Sequence, residues 1–265
     1  RVMPVETVRR VLTLAPMPPE KCAYALARYS RSPDSIRESI EWVRSHDSAR
    51  FLEHFYFQYG HSSIADLGHL VVCFEGISEL AAIEVEDEQL WDGQAKSSRY
   101  QDFSRSGFVT PAELEDADAR RYRTAAGMLL AAYSRTHAAL VEHLTERLPR
   151  PAGMKDDAYR RNIAARAFDV ARYLLFLGIP TNIGQITSIR TLEKQIRRLR
   201  ASGYAELRDL GGEIAAACAA EPACAWDEHS PREAVAPTLA RWADPDSYLT
   251  RSRRDLELWA AQNLP

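Results

Sequence analysis

Two polar clusters bracket a short apolar run between Gly60 and Tyr100. The first is Gly60-His61-Ser62-Ser63, with Asp66 close behind; the second is Lys96-Ser97-Ser98-Arg99-Tyr100. Gly60 suits the left-handed residue that closes a helix, which leaves the following backbone N–H groups free to face a ligand. Ser97, Ser98 and Arg99 place two hydroxyls and a guanidinium within three residues. Arginine offers a planar fork of donors that meets a phosphate or carboxylate at two points at once. Singly, each cluster has a plainer reading. A histidine after a helix end is commonly a cap or a core group, and Ser-Ser-Arg is commonly a solvated turn. Together they carry more weight, because one strand between them brings both ends near a single core.

Other cations lie further on. Arg172 stands among apolar neighbours in Ala171-Arg172-Tyr173-Leu174-Leu175. A buried charge without a partner is costly, so Arg172 requires either an internal Asp or Glu or an anionic ligand. The segment Arg190 to Arg200 carries Arg190, Lys194, Arg197, Arg198 and Arg200 opposite Leu192, Ile196 and Leu199. Its plain reading is a solvated cationic face. His54, His61 and His69 are close in sequence but lack the spaced cysteines or the HExxH pattern of a zinc site, so no metal is expected. There is no Walker loop, no GxSxG and no dinucleotide glycine fingerprint.

The elements that must position these groups read as follows. Leu70 to Ile77, rich in β-branched and aromatic residues, reads as a strand. Helices are expected from Pro18-Pro19-Glu20, from Ile36 with Asp34 as cap, and over Phe51 to Tyr59, where an aromatic stripe either packs the core or borders a ligand ring. After a polar loop from Gln101 to Thr110, a long helix is expected from Pro111 to Leu148. Its buried face carries Tyr122, Ala126, Leu129, Ala132 and Tyr133. A second follows from Asp157 to Leu177. Ile183 to Ser188 reads as a strand or an irregular entry to the Arg190–Arg200 helix, and a mixed-charge helix runs on to about Ala220. Pro231 to Trp242 reads as a further helix, and the tail from Asp244 is open.

At 265 residues and 46% apolar composition the chain can bury a real core, and it is read as a single domain over residues 1–265. The net charge of −3 gives no reason to expect nucleic-acid binding. No apolar run approaches the roughly 18 residues of a membrane span, and Arg1-Val2-Met3-Pro4 does not read as a signal peptide. Cys22, Cys73, Cys218 and Cys224 are scattered and read as reduced thiols of a cytoplasmic protein.

The order of motifs resembles the flavin-dependent thymidylate synthases. That family shows His-x-Thr/Ser-x-x-Glu, a strand, Arg-His-Arg and Ser-x-Arg-Tyr; here His61, Ser63, Asp66, Ser97, Arg99 and Tyr100 match. Ala171-Arg172, Arg190-Thr191-Leu192 and Arg200-Ala201 continue the likeness, with Tyr204 where the family has His and Phe176 where it has Pro. The likeness covers about residues 50 to 210.

The resemblance implies an α+β fold, an antiparallel sheet surrounded by helices with a helical extension. It implies C5-methylation of a uridine 5′-monophosphate, with methylenetetrahydrofolate giving the carbon and NADPH-reduced FAD the hydride. It assigns Ser97, Arg99 and Arg172 to the nucleotide and Arg172 and Arg200 to catalysis, Arg200 by polarising the uracil carbonyl. His61, Ser63, Asp66 and Gln94 fall to the flavin. It implies a homotetramer with sites at subunit interfaces. Most of the family uses dUMP; a branch in nucleoside-antibiotic pathways methylates UMP.

One departure stands out. The family's Arg-His-Arg falls on Asp87-Glu88-Gln89, within Glu84-Val85-Glu86-Asp87-Glu88-Gln89. A carboxylate repels phosphate, so ligands are held differently here or part of the activity is lost. Asp87 and Glu88 are expected to be neutralised by Arg190, Lys194, Arg197 and Arg198, or by a cation of another subunit. The rival reading is a non-catalytic homologue that kept the fold and lost the flavin.

Overall fold

A computed structural model describes residues 12, 14, 16–32, 35–46, 62–222 and 245–264. The expected helices over Phe51–Tyr59 and Pro231–Trp242, and Gly60 with His61, lie outside the described residues. The chain divides into two compact units, and Met17–Pro222 is the larger.

The larger unit is α+β, as expected. Helix α1 (Pro19–Tyr29) opens with proline in its first turn, where a missing N–H costs nothing. Helix α2 (Ile36–Arg44) is capped by Ser35, whose side chain accepts from the Arg37 N–H; the expected cap, Asp34, is outside the described residues. A 3-10 turn, Ser62–Leu67, packs Ile64 and Leu67 onto Ala23 and Ala27 of α1.

Strand β1 (His69–Ser78) follows, then helix α3 (Glu79–Glu86) and strand β2 (Trp91–Ala95). Neither α3 nor β2 was expected from the sequence. Further on come strand β3 (Pro180–Ser188), helix α6 (Ile189–Arg200) and helix α7 (Ala205–Ala219). The sheet is antiparallel with order β1-β3-β2, so the segment read as strand or irregular entry is its centre. The β1–β3 register slips between Phe74 and Ile77, where Gly76 takes φ 68. That left-handed conformation favours glycine.

Both long strands end in a serine that starts a helix. Ser78 accepts from the Ala81 N–H and Ser188 from the Thr191 N–H. Strand and helix are therefore joined without a loop, and α3, α6 and α7 cover the same sheet face. Phe74, Ile77, Val85, Ile183, Leu192, Leu199, Leu207 and Ile214 form that core, each large aliphatic chain contributing about 1.5–3 kcal/mol. A buried pair crosses it. Gln185 Nε2 donates to Gln195 Oε1 at 3.0 Å, and Gln195 Nε2 donates to the Val85 carbonyl at 3.1 Å. The opposite face of the sheet is open, with Val71, Cys73 and Ile186 exposed.

A helical hairpin forms the extension. Helix α4 (Asp116–Arg147) begins later than expected, because Pro111–Leu114 make a separate turn and Glu115 is extended. Its expected buried face holds: Ala126 and Tyr133 are buried, and Tyr122, Leu129 and Ala132 half-buried. Helix α5 (Asp156–Ala171) stops short of the expected Leu177. A 3-10 turn, Arg172–Leu174, leads to extended Leu175 and on toward β3. Phe103, Tyr133, Ala171 and Ile179 pack here.

In the smaller unit, helix α8 (Ser247–Asn263) is capped by Asp246, which accepts from the Leu249 N–H at 2.9 Å. No described helix is long and apolar enough to cross a membrane. Among the described residues, no three His, Cys, Asp or Glu group as metal ligands would.

Candidate functional site

Strand β2 delivers the Ser97–Tyr100 turn. The strand is poor in β-branched residues and holds because β3 pairs with it along its length. Gly93 is required there, since a Cβ would collide with the Gly184 carbonyl and the Trp91 ring. Past Ala95, the Lys96 N–H still donates to the Asn182 carbonyl at 2.8 Å. The chain then turns: the Ser97 hydroxyl accepts from the Arg99 N–H at 3.3 Å, and the Ser97 carbonyl accepts from the N–H groups of Tyr100 and Gln101.

This turn brings Arg99 to the end of α5. Arg99 Nη2 lies 3.1 Å from Asp169 Oδ2, and Arg172 Nη2 lies 3.0 Å from Asp169 Oδ1. Two guanidiniums thus share one carboxylate and leave a local charge of +1. Asp169 Oδ1 is buried and has no well-aligned hydrogen bond. The arginines are partly solvent-facing, with side chains 50% and 36% exposed. Each commits one nitrogen to Asp169, and among the described residues no other ion pair or side-chain hydrogen bond engages either. Tyr100 and Tyr173, their neighbours in sequence, are both exposed. The scaffold behind is firm: Tyr133 accepts from the Phe103 N–H, and burial pushes its phenol pKa up. The result is a cationic, hydroxyl-bearing patch suited to a phosphate.

The structure gives Arg172 an internal partner, Asp169, three residues before it. That partner was legible in the sequence, since residues three apart on a helix share a face. What the sequence did not show is that Asp169 also binds Arg99.

No hydrogen bond or ion pair ties the other described site residues to this cluster. Arg200 ends α6. Its stem rests on α7 at Gly211, where a Cβ would meet Arg200 Cγ at 2.7 Å. No ion pair or hydrogen bond links Arg200 to Arg99, Asp169 or Arg172. Gln94 is exposed on β2, and Ser63 is exposed in the 3-10 turn. Asp66 is engaged within the chain. Its Oδ1 accepts from Arg190 Nε at 2.7 Å and from the Ser188 hydroxyl at 3.3 Å, and its Oδ2 pairs with Arg190 Nη2. His61 lies outside the described residues.

The acidic segment answers the basic helix in part. Arg198 Nη1 meets Glu84 Oε2 at 2.9 Å, and its Nη2 lies 3.9 Å from Glu88 Oε2. Asp87 is exposed at the end of α3. Arg198 is thus occupied by carboxylates.

The family model for the thymidylate synthase complementing protein matches residues 11–221. A UPF0159 protein of Chlamydia pneumoniae is 25% identical over 173 residues, 63% of this chain and 33% of that protein. The chain therefore spans about a third of the length of the curated relative it matches. Two solved structures of thymidylate synthase X from Helicobacter pylori, each with FAD and dUMP, are 15% identical. Both cover 74% of this chain and 87% of theirs, with TM-scores of 0.48 and 0.44.

Proposed function

Because this chain belongs to the thymidylate synthase complementing protein family, we propose that it is a flavin-dependent C5-methylase of a uridine 5′-monophosphate. Methylenetetrahydrofolate is the carbon donor in this reading, and FAD, reduced by NADPH, supplies the hydride. The observation that carries it is the Arg99–Asp169–Arg172 cluster beside the Ser97 turn. Two arginines held at one point, with hydroxyls alongside, match a dianionic monophosphate better than a carboxylate. Arg99 and Arg172 take the phosphate oxygens, and Ser97 donates its hydroxyl proton to one of them. Arg200, exposed on its packed stem and without an ion pair among the described residues, draws negative charge onto a uracil carbonyl.

The described residues do not fit the FAD diphosphate at residues 84–89. Glu84, Glu86, Asp87 and Glu88 are acidic, and Arg198 is taken by Glu84 and Glu88. A diphosphate there would meet repulsion. Gln94, exposed on β2, has the donor and acceptor that a flavin ring edge needs; Ser63 and His61 complete the proposed flavin side, whereas Asp66 is held by Arg190 and Ser188. The protein is further proposed to be a homotetramer. The open sheet face with Val71, Cys73 and Ile186 supports this, because apolar groups gathered on one face favour burial against another chain.

The experiment incubates the purified protein with FAD, NADPH, methylenetetrahydrofolate and either UMP or dUMP. A nucleotide heavier by one methylene, formed only in the full mixture, is expected. UMP consumed in preference to dUMP would assign the chain to the branch of nucleoside-antibiotic pathways. The acidic segment favours a second reading, a non-catalytic homologue that binds nucleotide without flavin. A protein that stays colourless with added FAD, and makes no product from either nucleotide, supports that reading and overturns the first.

A further inference from the structure

We infer that Asp169 is a positioning residue, the carboxylate that holds Arg99 and Arg172 at the separation a phosphate requires. The inference rests on the reading that this pair takes the nucleotide phosphate, and it adds a residue that no matched motif contains. Asp169 reaches both guanidiniums, at 3.1 Å and 3.0 Å, with different oxygens. The arginines come from separate parts of the chain: Arg99 from the turn after β2, Arg172 from the 3-10 turn after α5. Among the described residues, Asp169 is the one ion-pair partner that either arginine has. Two like charges brought this close repel, and long, half-exposed side chains would otherwise spread into many rotamers. The shared carboxylate cancels the repulsion and removes that freedom. It is itself anchored, because it stands on the last turn of a sixteen-residue helix with its Oδ1 buried.

The chemistry leaves room for the ligand. A guanidinium has five N–H donors in a planar fork. Asp169 meets one Nη2 of each arginine, so Nε and Nη1 of both stay available. Phosphate oxygens can take these donors while Asp169 remains in place behind them. Ligand-free and ligand-bound arrangements then differ little, which is the benefit of preorganisation.

The sign of the effect separates positioning from simple electrostatics. Replacing Asp169 with neutral Asn raises the local charge from +1 to +2. On charge alone phosphate should bind more tightly. If Asp169 positions the pair, phosphate binds more weakly.

The test measures binding of UMP, dUMP and uridine by calorimetry to the full chain and to D169N, D169S and D169E, with a thermal melt of each. In the unaltered protein UMP or dUMP binds more tightly than uridine. In D169N and D169S this preference falls by about tenfold or more, while uridine affinity is kept. D169E restores most of the preference, because a carboxylate is again present. Equal or tighter monophosphate binding by D169N overturns the inference and leaves the nucleotide site standing. An unaltered protein that binds UMP and dUMP no better than uridine overturns the phosphate assignment itself, and the inference with it.

Discussion

Replacing Asp66 with Asn asks whether this carboxylate serves the fold or a cofactor. The resemblance assigns it to the flavin, yet it makes a two-point contact with Arg190 and accepts from Ser188, the cap of α6. A hydrogen bond to a charged group contributes about 1.5–3 kcal/mol, and an exposed ion pair about 0–1. The two side chains are 33% and 29% exposed, which puts the pair between those limits. We expect D66N to cost about 1–2 kcal/mol. For a chain of 265 residues that lowers the melting temperature by about 2–4 °C. Asn keeps the size and can still accept from Ser188, so the loss reports the charge. Arg190→Ala should cost a similar amount. The double variant should lose clearly less than the sum, with a coupling of about 1 kcal/mol. Melts of the four proteins close this cycle. Additive losses, or an unchanged D66N melt accompanied by loss of bound flavin, would refute the structural role and place Asp66 with the cofactor.

Three further outcomes are expected. Arg99→Ala should weaken UMP or dUMP binding by about 1.5–3 kcal/mol, read by calorimetry, with flavin content little changed; unchanged affinity in a folded variant would remove Arg99 from the phosphate site. Changing Asp87 and Glu88 together to Asn and Gln should lower stability by no more than about 1 kcal/mol, because Asp87 is exposed and the Glu88–Arg198 contact is long. FAD affinity that rises in that variant, with a gain that shrinks as salt is added, would show instead that these acids crowd the cofactor phosphates. Cys73 should react with a thiol reagent faster than Cys22, since Cys73 is exposed on the open sheet face while burial pushes the Cys22 thiol pKa up. If copies cover that face in a tetramer, labelling of Cys73 should fall as protein concentration rises, and a concentration-independent rate would argue against it.

Much of the framework was legible because its signals are local. A run of β-branched and aromatic residues marked β1, the Leu192, Ile196 and Leu199 spacing marked α6, and the small and aromatic stripe of α4 falls on its packed side. The elements that were missed depend on partners far away in the chain. Trp91-Asp92-Gly93-Gln94-Ala95 has weak strand propensity and becomes β2 because β3 offers it an edge. Helix α3 sits in a charged segment, but Ser78 caps it, Glu206 accepts from the Ser78 hydroxyl and N–H, and the core takes Ala81, Ala82 and Val85.

The site divides in the same way. Residue types marked Ser97 and Arg99 as an anion-seeking pair, because a guanidinium's chemistry belongs to its side chain wherever it stands; only the family resemblance added Arg172 to the nucleotide. That Arg99 and Arg172 meet at Asp169, while Asp66 closes on Arg190 and Glu84 on Arg198, was decided by tertiary structure alone. Ion pairs form between side chains that the fold brings within about 4 Å, and separations of 70, 124 and 114 residues leave no periodic trace in the sequence.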